Sequence, residues 1–343
     1  MGSVKDLVVI EKTEKNKTGK AQFAFSDRYS VFDWGEMPDH IQGKGASLCI
    51  TTAYFFEKLE DKGIRTHYRG LVEKDEVKRL SELKLPQSCM EMKLLRVLKP
   101  GIGGNTYDYS VYREEQANFL IPLEIIYRNS LPESSSVFKR LKVGRLRSKD
   151  LGLSEMPYPG QVLERPLLDV STKLETSDRY LSWAEAKEIA GLSEDEVEKI
   201  KRITLLINGL ITKEAGRIGL VNEDGKVEFG FDEYRKLMVV DALGTLDECR
   251  FTYEGMPVSK EIARIFYRNT SWYREVEEAK KKDKVGWKKL VKNKPPSLPP
   301  ALKDSISMLY KACCNEITRR VWFEDVPSVG ETLKEIREIL PYE

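Results

Sequence analysis

DGKVEFG (224–230) alternates its side-chain character residue by residue and runs on through FDEYRKLMVVD to Asp241. A strand turns successive side chains to opposite faces, so Asp224, Lys226 and Glu228 share one face while Val227, Phe229 and Phe231 share the other. Asp232 to Arg235 read as a polar turn and 237–240 as a second, mostly apolar strand. With an even number of residues in the turn, antiparallel pairing sets Lys226 roughly opposite Asp241, with Glu228 one diagonal step away. Three carboxylates then gather around one ammonium. The solvated outer face of a hairpin is the ordinary reading of such a strand. Carboxylates that converge at strand ends are also how a site holds Mg2+ together with phosphate oxygens.

The rest of the chain bounds the choice. A length of 343 residues suits two lobes or domains better than one core. Lysine and arginine number 57 against 55 acidic residues, a formal balance of +2 that makes no global case for nucleic acid. The five cysteines (Cys49, Cys89, Cys249, Cys313, Cys314) show no CxxC spacing, so neither a zinc site nor a disulfide framework follows. Without a charged-then-apolar leader or a bilayer-length apolar run, the expectation is a cytoplasmic enzyme or binding protein with no membrane contact.

Short strands dominate the first third: VVIEK (8–12), AQFAFS (21–26) and YSVFDW (29–34), separated by the lysine-rich turn EKNKTGK. Residues 46–62 read as a helix with Leu48, Ala53, Phe56 and Leu59 on its apolar side, closed by Gly63. GIGG (101–104) resembles a phosphate loop superficially but precedes no helix start, so a turn between strands is expected. In NFLIPLEIIYRN (118–129), Pro122 cannot donate to a ladder, so the strand should end or change partners there, at a crossing between lobes. Farther on, Ser182 with Glu185 and Ser193 with Glu196 fit capping boxes, the second opening a helix that runs to Gly216. The basic run at 280–294 reads as a solvated loop, PPSLPP as a spacer, and 304–320 as a final helix.

Taken in order, TGKAQFAFS, DRYSVFD, IQGKGA, IPLEIIYRN, SSSVFKR, STKLE, DGKVEFG, VVDALGTLDECRF and SKEIAR resemble the phosphoribosylaminoimidazole-succinocarboxamide synthases, the SAICAR synthetase family, from about Thr18 to about Ala312. The longer form, with its STKxE element and C-terminal helical extension, is the nearer match. The resemblance implies an α+β, two-lobed fold related to kinases and ATP-grasp enzymes. Its N-terminal antiparallel-sheet lobe, 1–120, would cover ATP. A mixed α/β lobe, 121–343, would carry the metal and substrate site and the helical extension. It implies a ligase that phosphorylates the carboxylate of carboxyaminoimidazole ribonucleotide (CAIR) with ATP and Mg2+, after which the amine of L-aspartate displaces phosphate. Such chemistry brings anions together, so cations must offset their charge.

Residue by residue, the resemblance implies that Lys20, with Gly19 beside it, lies over the ATP phosphates and that the backbone at Leu120 and Ile121 meets adenine. Arg128 and Ser136 would hold the ribonucleotide 5′-phosphate, and Arg250 would be a second substrate arginine. Lys226 would contact the ribonucleotide and the transferring phosphoryl group, with Asp224 nearby; Glu228 and Asp241 would serve ATP and Mg2+. Ser30, Asp33, Lys173 and Glu175 would line the facing cleft. Lys260 and Arg264 match a further pair whose role is at least as much structural. Departures from the family pattern fall at Gln22, Cys49, Ile50 and Ala242. They keep two alternatives open: a paralogous amide ligase with a different acid or amine, and a non-catalytic nucleotide-binding regulator. The helices of the extension could also support a homo-oligomer.

Overall fold

In the computed structural model, which describes residues 4–103, 106–283 and 286–340, the quoted strand forms the middle of the largest of three antiparallel sheets among the described residues. The chain runs β1 (Lys5–Glu11), β2 (Gly19–Phe25), α1 (Lys44–Glu60), β3 (Tyr68–Glu73), β4 (Glu76–Lys78) and β5 (Cys89–Leu94). Next come β6 (Gly101–Gly103), β7 (Thr106–Asp108), α2 (Val111–Glu114), β8 (Phe119–Leu131), α3 (Ser136–Lys142) and β9 (Gln161–Thr172). Helices α4 (Trp183–Ala190) and α5 (Glu194–Arg217) precede β10 (Val221–Phe231), β11 (Leu237–Val240), β12 (Cys249–Tyr253) and β13 (Met256–Pro257). The chain closes with α6 (Glu261–Arg268), α7 (Ser271–Lys282), α8 (Pro300–Thr318) and α9 (Val329–Ile339). The architecture is α+β, with a first sheet ordered β1-β2-β5-β3-β4 and a second ordered β13-β12-β10-β8-β9, to which β11 adds along β10.

The first sheet follows from its alternation: Ala21 and Phe25 of β2 are buried on one side. Gly19 opens β2 at a bulge between Val9 and Glu11 of β1, where an added Cβ would stand 2.4 Å from the Glu11 carbonyl oxygen. Helix α1 is capped from a distance, the Asp27 carboxylate accepting the N–H groups of Gly43 (3.1 Å) and Gly45 (2.9 Å). It lies between the first sheet and α8, and it is apolar almost all round because both sides are covered.

Three expectations meet corrections and a fourth holds. YSVFDW is not a strand, because Phe32 and Asp33 take consecutive positive φ angles of 54° and 62°. Tertiary packing wins there: the Phe32 ring meets Tyr273 at 4.5 Å and Trp34 meets Trp272 at 5.4 Å. Pro122 falls, as expected, where β8 changes partners on one edge: Leu123 to Leu131 pair with β9, and ahead of the proline Phe119 bridges to Arg96. In β8 the register with β10 jumps from Glu124↔Glu228 to Leu120↔Gly230, so a bulge absorbs the proline, whose carbonyl accepts the Lys173 N–H at 3.0 Å. The position expected to divide the lobes, 120/121, therefore lies inside β8. In the β10–β11 hairpin, Phe231 pairs with Leu237 and Glu228 with Val240, so the connection holds five residues and Asp241 falls beyond the ladder. Asp232 closes this connection by accepting the N–H groups of Tyr234 (3.0 Å) and Lys236 (2.7 Å). The helix expected at 304–320 begins at Pro300, with proline in its first turn, and is not the last, since α9 follows it.

Other expectations hold. Ser182/Glu185 and Ser193/Glu196 form capping boxes on α4 and α5, and Gly63 takes a left-handed φ of 73° just after α1. GIGG contributes Gly101–Gly103 to the β6–β7 hairpin, while Gly104, like Lys284 and Val285 of the basic run, lies outside the described residues.

The two sheets are stitched together. Val239 of β11 donates to the Arg65 carbonyl (2.9 Å) and accepts from His67 N–H (3.0 Å), and Leu120 donates to the Arg96 carbonyl (2.9 Å). No helix among the described residues is long and apolar enough to cross a membrane.

Candidate functional site

Strand β10 buries Val227, Phe229 and Phe231 on its inner side. Gly225 points the same way, and there a Cβ would lie 2.2 Å from the Tyr127 hydroxyl oxygen, so the residue between Asp224 and Lys226 has to be glycine. The opposite side of β10 presents Asp224 and Lys226 to a cleft of about 600 Å³, whose wall also includes Ser30, Arg128, Ser136 and Arg250, while Glu228 lies buried behind Lys226.

One end of this wall interleaves lysines and carboxylates. Lys226 Nζ lies 3.0 Å from Glu124, 3.0 Å from Glu228 and 3.4 Å from Glu248. Lys173 Nζ lies 2.5 Å from Glu228 and 3.9 Å from Glu124. Across the cleft, Lys5 of β1 puts its ammonium 2.5 Å from Asp241 and 4.8 Å from the centre of the Phe23 ring. Burial opposes charge on Lys226, yet Glu248, Glu228 and Glu124 hold its pKa well above the ordinary lysine value. Lys173 is raised too, against burial, by Glu228 and Asp241. Burial raises Glu124, with Lys226 opposing. Burial also disfavours charge on Asp241, but Lys5, Lys173 and Lys226 lower its pKa on balance. Asp241 has a φ of 70°, uncommon for a residue with a Cβ and a frequent mark of a functional position. Its carbonyl accepts from His67 Nε2 at 3.2 Å, and His67 is held neutral by burial, which pushes its pKa down to about 4.

The other end is built on arginines. Arg128, only 1% exposed, donates to Asp224 (3.1 Å), the Ser136 hydroxyl (3.2 Å) and Tyr180 (3.3 Å), and pairs with Asp169. Arg250 donates through Nε to Asp224 (2.8 Å) and through Nη1 to the Ser134 hydroxyl (2.9 Å). Asp224 thus pins one edge of each guanidinium, while the other edges run to serine hydroxyls beside α3. That arrangement suits a phosphate group.

Seven of the fourteen expected residues line this cleft, and Glu228 and Lys173 adjoin it through the ion pairs around Lys226. Asp33 lines it from the rim, largely exposed and 3.3 Å from Lys280. Lys20 departs from expectation: it pairs with Glu11 at 3.0 Å, at the opposite end of β2 from Phe25, which lies across the ladder from Lys5. Gly19 lies at that far end too. Glu175 is held by Arg179 (2.7 Å) and Tyr109 (3.0 Å) and lines a neighbouring cavity of about 1170 Å³. Leu120 packs with Leu95, Met238 and Val240 in a small apolar cluster separate from the main core.

Sequence reasoning missed Lys5, Glu124, Glu248, Ser134 and Tyr180. Glu124 had a signal: it is the acid inside the apolar run IPLEIIY and shares strand parity with Arg128. Lys5 had none, because only the fold brings it to Asp241. Three departures lie off the cleft. Gln22 is on the far side of β2, with Cys89 Sγ 3.5 Å from its carbonyl oxygen; Cys49 and Ile50 are 0% exposed inside α1. Ala242 alone adjoins the site.

No group of three or more histidine, cysteine, aspartate or glutamate side chains among the described residues could enclose a metal ion unaided. Asp241 and Glu228 nevertheless fit Mg2+ in the form in which phosphate oxygens complete the shell, since one or two carboxylates suffice there. The Lys5 ammonium resting on Asp241 marks that carboxylate as a place for a cation.

A family model described as SAICAR synthetase matches residues 2–284. A phosphoribosylaminoimidazole-succinocarboxamide synthase from Thermoplasma acidophilum is 32% identical over 307 residues, 88% of this chain and 93% of that one. A protein from Archaeoglobus fulgidus, which bears the same synthase name provisionally, is 51% identical over 340 residues, 99% of this chain and 100% of its own. Among solved structures, a SAICAR synthase from Saccharomyces cerevisiae complexed with SAICAR aligns over 94% of both chains with a TM-score of 0.64 and 20% identity. A SAICAR synthetase in complex with ADP aligns over 87% of this chain and 99% of its own, with a TM-score of 0.56 and 22% identity. At such identities the two structures speak for the fold.

Proposed function

The chain belongs to the SAICAR synthetase family, and from that premise we propose how its cleft carries out the family's reaction. It is an ATP-dependent ligase that joins L-aspartate to the carboxylate of CAIR through an acyl phosphate, giving SAICAR, ADP and phosphate in purine biosynthesis. The observation that carries the site assignment is the β10 wall itself, with Asp224, Lys226 and Glu228 in line between an arginine end and a lysine–carboxylate end.

CAIR lies with its 5′-phosphate between Arg128, Arg250, Ser134 and Ser136, and its carboxylate reaches toward Lys226. Adenine rests on the Leu120, Leu95, Met238 and Val240 cluster, with Leu7 and Val9 of β1 above it and the triphosphate running toward Asp241. The phosphate-side ammonium is Lys5; Lys20 is too far along the ribbon, five residues or about 17 Å at strand rise. Residues 1–120 then supply the roof, and 121–343 the floor. Asp241 and Glu228 would hold Mg2+, which when bound neutralises charge between the nucleotide phosphates and the attacking carboxylate. The CAIR carboxylate attacks the γ-phosphorus and ADP leaves; Lys226 and Lys173 offset the charge that two approaching anions concentrate. Closure of β1 over the cleft keeps water from the acyl phosphate. Because Gln22, Cys49 and Ile50 do not touch the cleft, the departures at these positions give no support to an altered acid or amine.

The test is ADP release by the purified chain with ATP, Mg2+, CAIR and L-aspartate, omitting each in turn. Release that needs all four, with SAICAR formed, is expected; ATP binding without CAIR-dependent release would reject the assignment.

A further inference from the structure

L-aspartate arrives with its nitrogen protonated, and an ammonium has no lone pair with which to attack. We propose that Glu248 binds that ammonium and accepts its proton, as the amine-activating residue of the cleft; the proposal rests on the ligase reading above.

The carboxylates around the cleft are unequally engaged. Asp224 is held by Arg128 and Arg250, and Asp247 by Lys44 (2.6 Å) and the Tyr310 hydroxyl (2.6 Å). Glu228 is gripped by Lys226 and Lys173, Asp241 by Lys5, and Glu124 lies between the same two lysines as Glu228. Glu248 has a single ion pair among the described residues, the longest of those on Lys226 at 3.4 Å, and that lysine has two nearer carboxylates to keep it neutralised. Asp33 and Asp178 lie at the exposed rim of the cleft; of the carboxylates gathered around Lys226 at its inner end, Glu248 therefore costs least to release to an incoming cation.

Its placement is fixed although its charge is free. The Glu248 carbonyl accepts the Lys226 N–H at 3.1 Å, and its own N–H donates to the Thr245 carbonyl at 3.2 Å. The residues on either side, Asp247 and Cys249, are anchored in the interior. The side chain is thus held beside the lysine at which the acyl phosphate forms, on the wall of the 600 Å³ cleft. The same wall carries Lys260, whose ammonium donates to the Asp247 carbonyl (3.0 Å), and Arg264, paired with Glu261 (3.0 Å). A releasable carboxylate beside Lys226 with two cations nearby complements a molecule with one ammonium and two carboxylates.

In the step proposed, a proton passes from the ammonium nitrogen to a Glu248 carboxylate oxygen, and the freed lone pair forms the C–N bond at the acyl carbon. Collapse of the tetrahedral adduct breaks the C–O bond to phosphate. The second nitrogen proton leaves with that phosphate, and Glu248 returns its own to water.

Hydroxylamine separates this role from a structural one, because it is uncharged at neutral pH and attacks acyl phosphates without a base. With ATP, Mg2+ and CAIR present, Glu248→Gln is expected to lower aspartate-dependent ADP release by about 100-fold while changing hydroxylamine-dependent release by no more than about threefold. Glu248→Asp should recover part of the aspartate rate and none of any difference in nucleotide binding. Parallel losses with both nucleophiles, or no loss with either, would overturn the assignment. Wild-type protein that releases no ADP with CAIR and either nucleophile would overturn the ligase reading itself, and this proposal with it; release with aspartate but none with hydroxylamine would overturn this proposal alone.

Discussion

Strands β10 and β1 face each other across one cleft and are built in opposite ways. Strand β10 is central: β8 flanks it on one side, β12 and β11 on the other, and Glu228 is 2% exposed although charged. Strand β1 is an edge strand, paired with β2, and its Leu7, Val8, Val9 and Ile10 are each about half exposed. A wall that must aim charges at a reacting centre is overdetermined by packing. A roof that must lift to admit a nucleotide is held by one ladder and a few ion pairs, among them Lys5–Asp241 and Arg28–Asp6 (2.8 Å).

The sharpest way to break this contrast is at Lys226. Lys226→Met should lower ADP release by about a thousandfold or more in protein that circular dichroism shows to be folded, and it should also lower the melting temperature, because Glu124, Glu228 and Glu248 lose the cation between them. A variant of normal activity would remove β10 from the chemistry. Next in size is stability: Phe231→Ala, in the floor of β10, should cost about 3–5 kcal/mol in denaturant unfolding, whereas Val9→Ala on the roof should stay within about 0.5 kcal/mol. Equal costs would mean that the roof is as firmly packed as the wall.

Acid should find the junction of the two regions. His67 is buried neutral with its pKa lowered to about 4 from 6.5, so the unfolded chain takes up its proton first. Its contribution is whole above pH 6.5 and is lost as pH falls toward 4, a change of about 3 kcal/mol. Asp241 and Asp247 protonate only below 3.8, but glutamates shifted from 4.5, Glu124 upward and Glu196, Glu214 and Glu261 downward, add to the slope at the acid end of that window, so the histidine's share is read from a His67 variant. Unfolding curves between pH 7 and 4 should show the loss, and His67→Gln should flatten it. The smallest effect sought is on the roof: Lys5→Met should raise the KM for ATP by about tenfold and Lys20→Met by less than about twofold, judged by the usual worth of a charged hydrogen bond against an exposed pair. The reverse order would restore Lys20 to the phosphates.

The wall was more legible in the sequence than the roof, for the same physical reason. Alternation in DGKVEFG announced which side of β10 is charged, because a strand packed on a core must segregate its faces. Its register was misjudged, since Asp232 closes the hairpin through its own side chain and makes the connection five residues long. On the roof, the glycine of GK at 19–20 answers to crowding at the β1 bulge, which the sequence does not announce, and Lys5 carries no local sign of its partner 236 residues away. Cys49 and Ile50 looked like lost polar contacts because periodicity around an all-round buried helix does not say which residues reach a cleft.

The stitching at Val239 bears on how the molecule can be taken apart. Since β11 is bonded to β10 on one side and to the Arg65–His67 segment on the other, and 120/121 falls within a strand, cutting the chain there would expose raw sheet edges on both pieces. Neither half is a module that can be borrowed, swapped or duplicated alone, and recombination between relatives would have to exchange roof and floor as one inherited unit.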